Sequence, residues 1–147
     1  MTRGCPAALV VSGLLAAAVV TGCGPGEVRG TKLKGQLVVN GQPLKPLPGE
    51  RVWVTFERTG SGGGKQVIMS SGAMQKDGTF DIEGQEKKGT PPGTYTVTIH
   101  GEFSSGDREN RFADLFPDGK SPFVVEVTDQ EDQFFVIDIG ARTITKQ

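Results

Sequence analysis

From Thr31 onward, short runs of alternating apolar and polar residues are cut, one after another, by turn signals, and that rhythm favours a β-sheet fold. In an extended strand every second side chain lies on the same face. Leu33, Gly35, Leu37 and Val39 form the first such set, closed by Asn40-Gly41, a pair suited to the positive φ angles of a tight hairpin. A proline-rich bend from Gln42 to Glu50 follows. Val52, Val54 and Phe56 then share one face, with Trp53, Thr55 and Glu57 on the other. Gly60 to Gly64 is too poor in side chains to pack and reads as a loop tip, and a strand is expected over Gln66 to Met74. Lys76-Asp77-Gly78 makes a turn into Thr79 to Glu83, where Phe80 and Ile82 point inward. Gly84 to Gly93 holds charges, glycine and two prolines, and reads as a loop.

The clearest alternation is Tyr95, Val97 and Ile99 inward, against Thr94, Thr96, Thr98 and His100 outward. Phe123, Val125 and Val127, then Phe135, Ile137 and Ile139, complete the inward sets. Between them Phe112, Leu115 and Phe116 have helical spacing, so a single helical turn capped by Asp107 is expected over one end of the fold. The tail after Ala141 is expected to fray. With 22 glycines and nine prolines the chain must turn often, and long helices are disfavoured. The expectation is an all-β sandwich of about seven antiparallel strands.

The chain has 147 residues, enough for one domain. Its 16 basic and 17 acidic side chains nearly cancel, with no basic stripe, which argues against a nucleic-acid partner. Both cysteines, Cys5 and Cys23, precede the strand-forming region, so no disulfide or thiolate metal site is expected within the domain.

Residues 1–22 read as an export signal, with Arg3 in the charged segment and an apolar run from Ala7 to Val20 interrupted only at Ser12 and Gly13. Fourteen residues are short for a membrane span, which needs about 20, and suit a signal core. Val20-Thr21-Gly22-Cys23 resembles the lipobox of bacterial lipoproteins: a branched apolar residue, two small residues and a cysteine. The resemblance implies cleavage between Gly22 and Cys23 and diacylation of the Cys23 thiol. The small side chains at Thr21 and Gly22 admit a peptidase to the backbone, and only a thiol forms the thioether. Each buried lipid methylene contributes about 0.8 kcal/mol, so two or three acyl chains together hold a protein at the membrane. The expected layout is signal peptide 1–22, lipidated cysteine and tether 23–30, sandwich 31–141 and tail 142–147. The seven residues from Gly24 to Gly30 span at most about 25 Å, which keeps the domain close to the membrane. Gly24, rather than aspartate, follows the cysteine; by analogy with the enterobacterial sorting rule this favours the outer membrane.

Asp77-Gly78-Thr79-Phe80-Asp81-Ile82, followed by Pro91-Pro92-Gly93-Thr94-Tyr95-Thr96-Val97, resembles the core of carboxypeptidase regulatory-like (transthyretin-like) domains. Lys34 to Leu44 and Val52 to Phe56 are similar to that family's first hairpin. Phe116-Pro117, Ser121 to Val127 and Phe134 to Ile139 resemble small lipoproteins of this type from planctomycete bacteria. The resemblance covers essentially the whole chain after the signal and implies an immunoglobulin-like sandwich without catalysis. The motifs also have their own physical sense. Asp-Gly and Pro-Pro-Gly preset turns, and Tyr95 can bury its ring while its hydroxyl reaches the sandwich edge, as in tyrosine corners.

No catalytic constellation is evident, and no cofactor is implied. His100 is the only histidine, lies on an outward face, and has no Gly-x-Ser-x-Gly nucleophile elbow to serve. Asp129-Gln130-Glu131-Asp132 offers oxygen ligands for calcium but lacks EF-hand spacing, so a solvated acidic turn is the favoured reading and no metal site is assigned. Gly60 to Gly64 is not followed by the helix that a phosphate loop requires. Trp53, the only tryptophan, falls on the face opposite Val52, Val54 and Phe56. The favoured reading is that the Gln42 to Glu50 loop covers it or that the strand is buried on both faces. The competing reading makes it a ligand contact, since sugars stack on exposed aromatics and protein partners use tryptophan as an anchor. The expectation is therefore a non-catalytic, lipid-anchored envelope lipoprotein, facing the periplasm or the outer membrane, held through Cys23 and meeting an envelope protein or glycan. The alternatives are a carbohydrate-binding accessory domain using Trp53 and, more remotely, a hydrolase with a dispersed site.

Overall fold

The computed structural model describes residues 30–59, 67–84, 89–106 and 108–147. The expected signal segment, Cys23, the tether to Arg29, the Gly60 to Gly64 tip, part of the Gly84 to Gly93 loop and the expected cap Asp107 lie outside the described residues. Among the described residues the chain forms nine strands: β1 (Lys32–Val39), β2 (Gln42–Pro43), β3 (Glu50–Thr59), β4 (Val67–Ala73), β5 (Thr79–Ile82), β6 (Gly93–Phe103), β7 (Phe123–Val127), β8 (Asp132–Asp138) and β9 (Thr143–Lys146). They make two packed sheets. In the first, β1 is flanked on one side by β2 and β5 and on the other by β8, which in turn pairs with β9. The second has the order β4-β3-β6-β7.

Alternation places the apolar sets as their period requires. Leu33 and Leu37 of β1, Phe80 and Ile82 of β5, and Phe135 and Ile137 of β8 face Val52, Val54 and Phe56 of β3 and Tyr95, Val97 and Ile99 of β6, with Phe123 and Val127 of β7. All are buried. Phe56 is the hub, its ring 5.9 Å from Phe135, 6.4 Å from Tyr95 and 6.5 Å from Phe80, each pair tilted as aromatic quadrupoles prefer. Truncating it to alanine would cost about 3–5 kcal/mol. The Tyr95 hydroxyl donates to the Pro91 carbonyl at 2.8 Å, so a fully buried ring keeps its polar end satisfied.

One turn and one strand crossing show why particular residues stand where they do. Asn40 (φ 52°) and Gly41 (φ 78°) both adopt positive φ, the pattern of a type I′ hairpin between β1 and β2. The Asp138 carboxylate holds that turn from the neighbouring strand, accepting from the Asn40 and Gly41 amides at 3.2 Å and the Ala141 amide at 3.0 Å. The sheets come together where β4 crosses β5, through bridges Ser71↔Glu83 and Met74↔Phe80. At this corner a Cβ on Gly72 would overlap the Asp81 carbonyl, so only glycine lets the two backbones meet.

Three expectations are corrected. The sandwich is not wholly antiparallel: β1 and β8 run parallel from Lys32↔Asp132 to Val38↔Asp138. The turn after β7 carries the chain from the second sheet back to the first, so β8 starts from the same pole as β1. The tail does not fray but forms β9, with Ile144 paired to Ile137 and half-buried against the core. The edge backbone of β8 thereby gains its hydrogen bonds. The expected helical turn is present only as two short 3₁₀ turns, Ala113–Leu115 and Pro117–Gly119, separated by the backbone of Phe116. Phe112 buries its ring beneath them while Leu115 and Phe116 are half-buried, so the apolar spacing serves the core edge without a regular helix.

The sandwich thus has two poles. Gly30 enters at one, together with the start of β6, the end of β3 and the turn between β7 and β8. The β1–β2 hairpin, the bend before β3 and the turn between β8 and β9 lie at the other.

Candidate functional site

The outer face of the second sheet gathers the residues that alternation turned outward. On β3 these are Arg51, Trp53, Thr55 and Glu57, and on β6 Thr94, Thr96, Thr98, His100 and Glu102. Register sets Trp53 opposite His100, Thr55 opposite Thr98 and Glu57 opposite Thr96. Directly opposite residues lie about 4.5–5.5 Å apart at Cβ, so the six form three rungs of one surface.

Trp53 is half-buried, between the two readings the sequence allowed. Its neighbours on this face are charged side chains of its own sheet: the Arg51 guanidinium stands 5.9 Å from the ring centroid, and the indole N–H donates to the Glu102 carboxylate at 3.4 Å. Cation–π attraction and this hydrogen bond hold the ring in place. His100 is exposed on the next strand, where a solvated imidazole needs no special explanation.

Beyond Thr55 the face deepens into an open groove of about 690 Å³. Its floor is the row Thr94, Thr96 and Thr98 with Glu57, and one wall is Gly119, Lys120 and Ser121. Arg58 lines it as well. The wall is set by the 3₁₀ turns. Pro117 opens the second of them, Asp118 turns at φ 54°, and the Ser121 hydroxyl donates to the Val97 carbonyl while accepting from the Phe123 amide at 3.0 Å. That clamp fixes the segment beside β6 just before β7 begins.

Arg58 is the unexpected member. The inward alternation of Val52, Val54 and Phe56 continues to it, so a cation sits where an apolar residue would be expected. It lies at the strand end, its guanidinium 5.6 Å from the Tyr95 ring centroid and one N–H donating to the Pro92 carbonyl. Burial pushes the Tyr95 phenol above the ordinary tyrosine range, and the Arg58 charge opposes part of that rise.

No family model, curated protein or solved structure matches the chain.

The other candidates separate from this face. The acidic segment Asp129 to Asp132 lies at the pole where Gly30 enters, and no group of three or more His, Cys, Asp or Glu among the described residues is placed to hold a metal ion. Buried Gln133 organises the turn there, donating to the Thr128 carbonyl at 2.8 Å and accepting from its amide at 3.2 Å. At the opposite pole, Arg111 grips Glu50 through two 2.8 Å bonds, a structural clasp. No helix among the described residues is long and apolar enough to cross a membrane.

Trp53 was legible in the sequence as an outward aromatic. The threonine row was legible only as an outward face, and the alternating Thr94, Thr96 and Thr98 was the available signal. Lys120 carried no signal, because its place beside β6 depends on a loop clamp made through Val97.

Proposed function

We propose that this protein is a lipid-anchored lipoprotein of the bacterial cell envelope whose β-sandwich serves as a non-catalytic binding or structural module. The observation that carries the reading is Val20-Thr21-Gly22-Cys23 at the end of a short apolar run, eight residues before the first strand pairing at Thr31. Acyl chains on Cys23 would hold the chain at the membrane, and the short tether would present the pole at which Gly30 enters toward the lipid. The order of the Asp-Gly-Thr-Phe and Pro-Pro-Gly-Thr-Tyr motifs supports an immunoglobulin-like sandwich of the carboxypeptidase regulatory-like kind, of the sort carried by planctomycete lipoproteins.

The test is intact mass and detergent partitioning of the protein from its native membranes, beside a Cys23→Ser variant. The expected result is a chain that begins at Cys23, carries acyl mass and partitions with detergent, while the variant does not. A released, unlipidated chain cut elsewhere would overturn the lipoprotein assignment.

A further inference from the structure

We propose that the outer face of the second sheet is a binding track for a neutral, linear glycan, with Trp53 as a stacking platform and the threonine groove as its hydrogen-bonding subsite. The proposal deepens the binding-module reading and does not depend on lipidation. Three observations carry it. The first is continuity: Trp53, Thr55 and Glu57 alternate along β3, so the Cα atoms of Trp53 and Glu57 lie about 13 Å apart on one face. The groove continues that line past Thr96 and Thr94. An extended chain of sugar rings fits such a strip better than a compact ligand does.

The second is hydrogen-bond complementarity. Thr55, Thr94, Thr96 and Thr98 each offer a hydroxyl that both donates and accepts, Glu57 only accepts, and Lys120 only donates. Among the described residues none of these six side chains makes a hydrogen bond. A polyol needs this mixture, since every sugar hydroxyl is itself donor and acceptor. Charge points the same way. Glu57 and Lys120 line the groove with one charge of each sign, while Arg58 is held by the Pro92 carbonyl and the Tyr95 ring, so a charged ligand of either sign meets one repulsive side chain. A neutral ligand meets neither penalty.

The third is preorganisation. The Trp53 ring is already braced by Arg51 and Glu102, and the groove wall is clamped by Ser121, so little ordering is required on binding. Aromatic rings stack on the apolar faces of sugars, and Trp53 is partly exposed on this face.

Trp53 is the chain's only tryptophan, so intrinsic fluorescence reports on the track directly. The full chain in detergent is titrated with neutral oligosaccharides of glucose, xylose, mannose and N-acetylglucosamine, with polygalacturonate as the acidic control. At least one neutral series is expected to shift the emission saturably and to tighten with chain length. Trp53→Ala, followed by affinity electrophoresis in gels of the matching polysaccharide, is expected to weaken binding at least tenfold. Thr96→Val and Thr98→Val, which keep shape and remove hydroxyls, are expected to weaken it at least threefold each with unchanged far-UV circular dichroism. Cys23→Ser is expected to bind the glycan as wild type does, which separates this proposal from the anchoring assignment. Absence of binding to every neutral series, binding to polygalacturonate alone, or retention by Trp53→Ala equal to wild type would each overturn it.

Discussion

Arg111→Met tests how the pole opposite the chain's point of entry is held. The Glu50 side chain is wholly buried, whereas the Arg111 side chain is 31% exposed. Two parallel bonds join them: Nε donates to one carboxylate oxygen and a terminal nitrogen to the other, both at 2.8 Å. The same guanidinium reaches the Lys45 carbonyl at 3.2 Å and lies 4.8 Å from the Phe112 ring centroid. Arg111 therefore ties the bend before β3 to the loop after β6, across 61 residues of sequence. Methionine retains much of the aliphatic bulk but strands a buried carboxylate with one remaining donor, the Leu47 amide at 2.8 Å. Breaking a fully buried pair costs about 3–5 kcal/mol. Water already reaches Arg111, which lowers the expected loss to about 2–3 kcal/mol. Glu50→Gln should cost about 1–2 kcal/mol, because the amide keeps the shape and one acceptor. The double variant should lose less than the two single losses added together, since no charge is left stranded, with a coupling of about 1–2 kcal/mol. Urea unfolding at neutral pH, with m-values compared across the four proteins, measures this. A loss below about 1 kcal/mol for Arg111→Met, or strict additivity in the cycle, would refute the argument that the pair acts as one buried unit.

Three further outcomes are expected. Tyr95 is the only tyrosine, so phenolate absorbance titrates one residue; ionisation should lag beyond the ordinary value near 10 and coincide with unfolding. Because its folded pKa is raised, the associated stability is present below the unfolded value and lost as pH rises through the folded one. Tyr95→Phe should remove that alkaline step and cost about 1 kcal/mol at neutral pH for the lost bond to Pro91. Gly72→Ala should destabilise by about 3 kcal/mol or more, read by thermal unfolding, because the new methyl meets the Asp81 carbonyl where the sheets join. The Ala141 amide, and after it those of Asn40 and Gly41, hold the Asp138 carboxyl below the usual carboxylate range; Thr79 does the same for Asp77, its hydroxyl more than its amide. Their stabilisation is present above the unfolded value near 4 and lost as pH falls through the lowered one, so acid unfolding should steepen below about pH 4. Asp138→Asn should flatten that limb, measured by circular dichroism against pH.

Much of the fold was legible as period. Val52, Val54 and Phe56, or Tyr95, Val97 and Ile99, point inward because neighbouring side chains in an extended chain have no other arrangement, and apolar surface must leave water. Asn40-Gly41 and Asp77-Gly78 marked their turns because positive φ is costly elsewhere. What local pattern does not encode is which strand lies beside which. That β8 runs parallel to β1, that the short run around Ile144 docks on β8, and that the 112–116 segment settles into 3₁₀ turns were decided by unpaired edges and by the space left over the core. The same division holds at the candidate site. Period alone turned Trp53 and the threonines outward, since that depends on one strand at a time. The groove needed β3 beside β6 and Lys120 brought near by a hydroxyl bonded to Val97, contacts between residues far apart in the chain whose pairing only the packed sandwich determines.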